Sequence, residues 1–417
     1  MTTLTDPPKG SFKLSMLLYD TRYRSMTIQV VALIGFLLLL AGIISNVAAN
    51  LETLGKSPSF RFMGEPAGYD INQRLLDYNS QSPHIRAAVI GLMNTLVIAV
   101  MGCITATVLG VIIGVARLSK NWIVSRIMAV YVETFRNVPV LLWIVLVMAI
   151  LIETLPAPRA FRSGEASMAL FDSVAVTNRG VYIPEILFSR GLGDISVFWG
   201  SFDISLDFIA MLFVFIAGMI VAKLIKKRAD AIQEATGDRP KTVLARLAVV
   251  FVPLIILGYL LGLHLGYPEL KGFNFKGGTH MRNSLIALWL ALSLYTAAFI
   301  AEIVRAGIMA ISKGQTEAAG ALGLRPNRTM SLVVLPQALR VIIPPLISNY
   351  LNLTKNSSLA IAVGYMDLTG TLMGVTLNQT GRELETVLLG MLIYLAISLS
   401  ISMAMNIYNN SVKLKER

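Results

Sequence analysis

Ala310-Ile-Ser-Lys-Gly-Gln-Thr-Glu-Ala-Ala-Gly-Ala-Leu-Gly-Leu-Arg-Pro-Asn-Arg328 is a short polar stretch between two apolar runs, at about 285–304 and 341–352. Ser312 followed by Gln315 resembles a capping box, in which the two side chains satisfy free N–H groups at a helix start. Gly323 suits a helix stop, because it enters left-handed backbone without a side-chain clash, and Pro326 follows three residues later. These signals predict a helix over about 312–323. So short a helix is marginal alone in water, so it must pack on something. Ala318, Ala319 and Ala321 give it a slim surface that fits a groove on another protein. A loop helix packed on its own subunit is the alternative.

Working outward, a membrane span needs about 20 mostly apolar residues. Eight are read, at about 26–50, 87–116, 138–155, 206–222, 247–265, 285–304, 341–352 and 384–408. The seventh is the weakest, since Pro344, Pro345, Asn349 and Asn352 interrupt it. The composition agrees: 55% of residues are hydrophobic and 14% charged, against about 45–50% apolar and about 25% charged in soluble domains. Disorder needs the opposite balance. The single cysteine, Cys103, cannot form an internal bridge and lies in an apolar run, where a buried inert thiol is expected. The expected fold class is all-α, a polytopic integral membrane protein of about eight transmembrane helices.

The net charge of +12 comes from 36 basic and 24 acidic residues. The bases fall between apolar spans rather than on a soluble, aromatic-rich face, so they carry topology rather than nucleic-acid binding. Segments 1–25, 117–137, 223–246, 305–340 and 409–417 hold 23 Lys and Arg; the alternating segments hold 13 in a greater total length. The positive-inside rule makes the first set cytoplasmic, with both termini inside. The first apolar run is about 20 residues long and follows 25 others, against about 7–15 apolar residues in a cleavable signal, so a retained span is expected. Ala106, Gly110 and Gly114, and Gly258, Gly262 and Gly266, are read as two small-residue helix faces for ordinary close packing.

Several chemistries are missing from the sequence. It contains no G-x-x-x-x-G-K-[ST], no H-E-x-x-H and no G-x-S-x-G. His84, His264 and His280 lie far apart near span ends, outside any ligand spacing. No catalytic residue and no metal site is assigned. Transport, channel formation or scaffolding remain.

Glu317-Ala318-Ala319, then Gly323, then Val333-Val334-Leu335-Pro336 resembles the EAA motif of permease subunits of bacterial ABC importers. The family usually has Ile where this chain has Val333. Tyr295-Thr-Ala-Ala-Phe-Ile-Ala-Glu-Ile-Val-Arg-Ala-Gly307, Leu335-Pro-Gln-Ala-Leu-Arg-Val-Ile-Ile-Pro-Pro345 with Asn349, and Lys355-Asn-Ser-Ser-Leu359 are similar to the polar amino-acid (histidine/glutamine-type) branch. So are Gly91-Leu-Met-Asn-Thr-Leu96 and Glu133-Thr-Phe-Arg-Asn-Val-Pro139. The resemblance covers roughly 87–155 and 285–408, where that branch usually has five core spans. An extra span and loop precede it, and 156–284 is inserted with two further spans. This enlarged build resembles the permeases of general L-amino-acid importers, and of glutamate/glutamine/aspartate/asparagine importers.

The resemblance implies a type I ABC-importer permease core with extra helices. It divides the chain into 1–86 (cytoplasmic N-terminus, extra span and periplasmic loop), 87–155 and 285–408 (the permease core), 156–284 (the insertion) and 409–417 (a cytoplasmic tail). It implies that Glu317, Ala318, Ala319, Gly323, Leu335 and Pro336 belong to a coupling element docking on a cytoplasmic ATPase. Two ATPase copies using ATP and Mg, a second and similar permease, a periplasmic amino-acid-binding protein and an L-amino acid substrate follow as partners, in the bacterial inner membrane. The chain itself would bind no cofactor.

Ionisable groups within spans are functional candidates. Glu302 and Arg305, and Glu133 and Arg136, are each three apart on one helix face and are expected to pair at cytoplasmic helix ends. Pro344-Pro345 is expected to free backbone carbonyls, as in the broken helices of transporter sites. An amino acid needs a donor cluster and an acceptor cluster, and Asn94, Thr95, Asn349, Asn352 and Thr354 are the pathway candidates. Interhelical hydrogen bonding, worth about 0.6–2 kcal/mol each, is the alternative for them. A secondary transporter driven by an ion gradient is the rival reading; it expects mid-span carboxylates, and the span centres read here hold none.

Overall fold

The computed structural model describes residues 15–55, 58–197 and 202–412. Residues 1–14 of the expected N-terminal segment and 413–417 of the expected tail lie outside the described residues. The chain forms two units, divided after Phe60. The described part of the first is dominated by helix α1 (Thr21–Thr53), whose long central stretch is apolar and has no buried residue.

The second unit begins at Arg61 and is built around α2 (His84–Ala116) and α7 (Asn283–Met309). Small residues allow their close approach. A Cβ at Gly110 would lie 2.6 Å from Ile300 Cβ, and one at Gly114 would lie 2.7 Å from the Ala301 carbonyl oxygen. The first glycine stripe is therefore a helix–helix seam. The second stripe is not one. Helix α6 (Val243–Leu260) ends before Gly262, which takes a left-handed φ of 67°, and Gly266 sits in strand β6 (Leu263–Gly266).

Seven helices among the described residues are long and apolar enough to cross a membrane. The eighth candidate is a pair, α3 (Trp122–Asn137) and α4 (Val140–Thr154), bent by 108°, which passes the same test only when the two are taken together as a broken span or a re-entrant loop. Apolar run length alone marks only 138–155 as this span. Residues 122–137 form a helix of their own because one face is apolar and meets α7. Val132 is buried with Ala298 and Ala301, and the Tyr131 hydroxyl donates to the Leu294 carbonyl at 2.6 Å. Pro139, which has no N–H to offer the preceding turn, marks the bend, and Phe135 and Trp143 stack across it at 4.2 Å.

The insertion is a helical hairpin, α5 (Leu206–Thr236) and α6, standing on short strands. Strands β1 (Ala175–Thr177), β2 (Gly180–Ile183) and β9 (Thr279–Arg282) form an antiparallel sheet. In it Gly180 pairs with Arg282 and Ile183 with Thr279, so the two ends of the insertion are sewn together. Among the described residues this region also holds three two-stranded ladders: β3 (Glu185–Phe188) with β6, β4 (Asp194–Val197) with β5 (Phe202–Ser205), and β7 (Glu269–Lys271) with β8 (Asn274–Lys276). The chain is thus mostly helical with a small β region at one end. That region leads directly into α7, whose 27 residues span about 40 Å and deliver the chain to the predicted 312–323 helix at the other end.

Helix α9 (Leu335–Asn356) continues unbroken past Pro344 and Pro345, so the expected break is not there. The irregular backbone lies on either side of it instead. A π-helical turn, Met330–Val334, precedes α9, and Ser357–Val363 and Thr369–Thr376 follow it as 3-10 and π turns. Helix α10 (Glu383–Val412) completes the bundle.

Candidate functional site

Helix α8 (Lys313–Ala321) follows α7 at the end remote from the β region. Its C-terminus closes as the sequence predicts. The Leu324 N–H donates to the Ala319 carbonyl at 3.1 Å and the Gly323 N–H to the Gly320 carbonyl at 2.9 Å, a double bond pattern that requires a left-handed residue. Gly323 supplies it with φ of 77°. Its N-terminus differs from expectation. Ser312 stands at the cap position but its side chain makes no capping bond. Gln315, instead of reaching back, accepts from Gln337 Nε2 of α9 at 3.3 Å. The capping pair is replaced by a tie between α8 and α9.

Ala319 is the single buried residue of α8, which rests on the Met330–Val334 turn. Glu317, Ala318, Gly320 and Ala321 are exposed, and Leu322 is 83% exposed. Leu335 is exposed and Pro336 half-buried at the start of α9. The face is small-residued, carries one carboxylate and ends in a bare leucine. The inner side of α8 packs on its own chain through Ala319 and the tie to α9, and its outer side is left open.

An ion cluster lies near the end of α7 that leads into this helix. Arg305 Nη2 contacts Glu302 Oε1 at 2.6 Å. Arg117, at the end of α2, holds the other oxygen of the same carboxylate. Two arginines from two helices thus clamp one glutamate, fixing the ends of α2 and α7 together. Arg117 could not be picked out by spacing, since its partner is far away in sequence. The second expected pair is not formed. Glu133 accepts from Asn137 Nδ2, and the Arg136 guanidinium lies over the Phe299 ring at 5.4 Å. Both are exposed, so an i,i+3 pair there gains little against solvation, whereas the aromatic face across the helix contact offers Arg136 a cation–π partner.

The pathway candidates divide into two groups. Asn94 and Thr95 are buried in α2 and brace the segment after α9. Asn94 Nδ2 donates to the carbonyls of Gln73 at 2.7 Å and Met366 at 2.8 Å. Thr95 Oγ1 accepts from the Leu368 N–H at 3.1 Å, and the Tyr365 hydroxyl donates to the Asn94 carbonyl at 3.1 Å. Thr354 is buried and bonds back to the Tyr350 carbonyl, and Asn349 bonds back to the Pro345 carbonyl. Asn352 is exposed. The structure does not bring the five into one cluster around a shared cavity.

It reveals instead a carboxylate that lies between the seventh and eighth apolar runs, outside any span marked by hydropathy. Asp367 is fully buried. Its Oδ2 accepts from the Tyr394 hydroxyl at 2.9 Å and its Oδ1 from the Gly370 N–H at 2.8 Å. Tyr394 lies eleven residues into α10, about 16 Å from its start, so the 365–372 loop reaches well into the bundle. Both carboxylate oxygens are engaged by the chain itself, as a strut rather than a free acid. A separate cavity of about 460 Å³ lies among α2, α7, α9 and α10. Of its polar lining residues, Thr107, Tyr350 and Tyr408, the first two bond each other at 2.6 Å through their hydroxyls; the remaining walls, including Ile300, Leu335 and Leu346, are apolar.

Comparison with known proteins is consistent with this arrangement. Over its full length the chain is 58% identical to the glutamate/glutamine/aspartate/asparagine transport system permease protein BztB of Rhodobacter capsulatus, covering 100% of both chains. It is 41% identical to the general L-amino acid transport system permease protein AapQ of Rhizobium johnstonii, over 98% of this chain and 96% of that one. It is 39% identical to the putative amino-acid ABC transporter permease protein YhdX of Escherichia coli, over 98% and 99%. Residues 106–414, which hold α8, the ion cluster and the buried loop, match the family described as binding-protein-dependent transport system inner membrane component. This chain is a member of that family, a multi-span permease subunit.

Proposed function

We propose that this chain is the membrane-spanning subunit of an ATP-driven importer of L-amino acids in a bacterial inner membrane. The observation that carries the reading is α8: a short capped helix, buried at one residue and exposed elsewhere, at the end of the bundle opposite the β region. In this reading α8 seats in a cleft of a separate ATPase, two copies of which burn ATP with Mg. Closure of the ATPases pushes α8, and its tie to α9 through Gln315–Gln337 and the Arg117–Glu302–Arg305 clamp on α2 and α7 carry the push into the bundle. Glu317, Ala318, Ala319, Gly323, Leu335 and Pro336 are the coupling residues. A second, similar permease completes the pore, and a periplasmic binding protein delivers substrate at the β end. Both termini and α8 face the cytoplasm, in line with the density of Lys and Arg on that side. The whole-length likeness to BztB and AapQ favours a substrate range of acidic, amide and other L-amino acids.

The test is uptake by proteoliposomes containing the reconstituted subunits. ATP inside and loaded binding protein outside should drive uptake with no ion gradient, and Glu317→Lys should abolish it while the chain stays inserted. Uptake driven by a proton or sodium gradient without the ATPase would contradict the proposal.

A further inference from the structure

Outside the permease core, α5 and α6 pack mainly on each other and leave most of their surface open. They approach closely at Gly218, where a Cβ would lie 3.0 Å from Val250 Cα. Beside this crossing runs a groove of about 660 Å³. Its walls are apolar, with Phe215, Ile216, Met219, Leu247 and Phe251 among them, and its mouth carries Lys223, Lys226 and Arg246. No acid lines it. None of the three bases has an ion-pair partner among the described residues. The nearby Asp230 is taken by Arg239 at 2.6 Å.

Three cations over a hydrocarbon-lined slot form an amphipathic site. They stand at the inner end of two spans, in the segment 223–246 that carries seven Lys and Arg. Apolar surface alone would accept any acyl chain or another helix. The uncompensated positive mouth selects an occupant with an apolar tail and an anionic head, and basic pockets between spans on the cytoplasmic side hold anionic lipid head groups. We propose that this groove binds one anionic phospholipid, its phosphate on Lys223, Lys226 and Arg246 and one acyl chain along Ile216, Met219 and Leu247. The site does not depend on the transport reading; it would tether the inserted hairpin to the inner leaflet.

The test is native mass spectrometry of the full chain in detergent, titrated with dioleoylphosphatidylglycerol or dioleoylphosphatidylcholine. The wild type should bind the anionic lipid at least about tenfold more tightly, since the three bases face a head group that lacks the compensating ammonium of phosphatidylcholine. Lys223→Gln, Lys226→Gln and Arg246→Gln together should erase that preference. Lys227→Gln, Arg228→Gln and Lys241→Gln remove the same charge away from the groove and should leave it intact. Ile216→Trp fills the slot with the charges untouched and should lower binding of both lipids. Equal loss in the two triple variants, or no anionic preference in the wild type, would overturn the proposal.

Discussion

Replacing Gly91 with alanine should loosen the buried loop that follows α9. An alanine Cβ at this position would lie 2.1 Å from Thr371 Oγ1, 2.8 Å from the Asp367 carbonyl oxygen and 3.0 Å from Leu368 Cα. The Thr371 hydroxyl can turn away, at the loss of its 2.9 Å bond to the Asp367 carbonyl. The other two contacts are backbone, so the loop must retreat. Overpacking of this kind costs about 1–3 kcal/mol. Retreat also stretches the bonds from Leu368 N–H to Thr95 and from Asn94 to the Met366 carbonyl, each worth about 0.5–1.5 kcal/mol net. The sum is about 2–6 kcal/mol, and even its lower end is about a thirtyfold change in local opening. Hydrogen exchange measured on the purified chain, in a peptide covering 365–376, reads that opening directly. Gly114→Ala, which crowds the α2–α7 seam elsewhere, is not a clean control, whereas Gly314→Ala meets nothing within 4 Å and should leave the loop unchanged. Equal exchange in wild type and Gly91→Ala would refute the argument that this loop is wedged against α2.

Thr95→Val removes the acceptor of a buried N–H while keeping the side-chain shape; it should cost about 1–3 kcal/mol and speed exchange at Leu368, with Thr95→Ser restoring most of the protection. A double-mutant cycle on Arg117 and Glu302 should return a coupling of about 0.5–1 kcal/mol, since both groups are partly exposed; zero coupling in thermal unfolding would show that the clamp contributes nothing. The β region should be sensitive to acid through His280, which stacks on Tyr182 at 4.1 Å. Burial holds the His280 pKa below the usual 6.5, so the unfolded chain takes up the proton more readily than the folded one. Stability is then complete above pH 6.5 and declines as pH falls below it. Exchange of the β2 and β9 amides, corrected for intrinsic rates, should rise over that window and be flat in His280→Phe.

The elements legible in the sequence were those governed by local rules. Apolar run length marked the spans, and Gly323 followed by Pro326 marked the end of α8 to within two residues. What escaped was decided by partners distant in sequence. Gln315 chose Gln337 over its own helix start. Glu302 gained Arg117, 185 residues away. Asp367 looked like part of an outer loop because its neighbours Thr369, Gly370 and Thr371 are polar or small. Those same residues, with Tyr394 and Thr95, satisfy a loop that folds inward. Residues 122–137 look like a connection in the sequence because their apolar positions cover only one helical face, which is what packing on α7 requires. The β region left little trace because its strands are three or four residues long, too short for an alternating pattern to stand out.

The central claim is that α8 is gripped by a separate ATPase, and site-specific photocross-linking tests it most directly. A benzoylphenylalanine placed at Leu322, which is 83% exposed, would be illuminated in the assembled complex within inside-out vesicles. The account predicts a cross-link to the ATPase subunit whose yield changes with ATP. It would be contradicted by cross-links to this chain alone, or by a cysteine at the same position that reacts with membrane-impermeant maleimide from the periplasmic side.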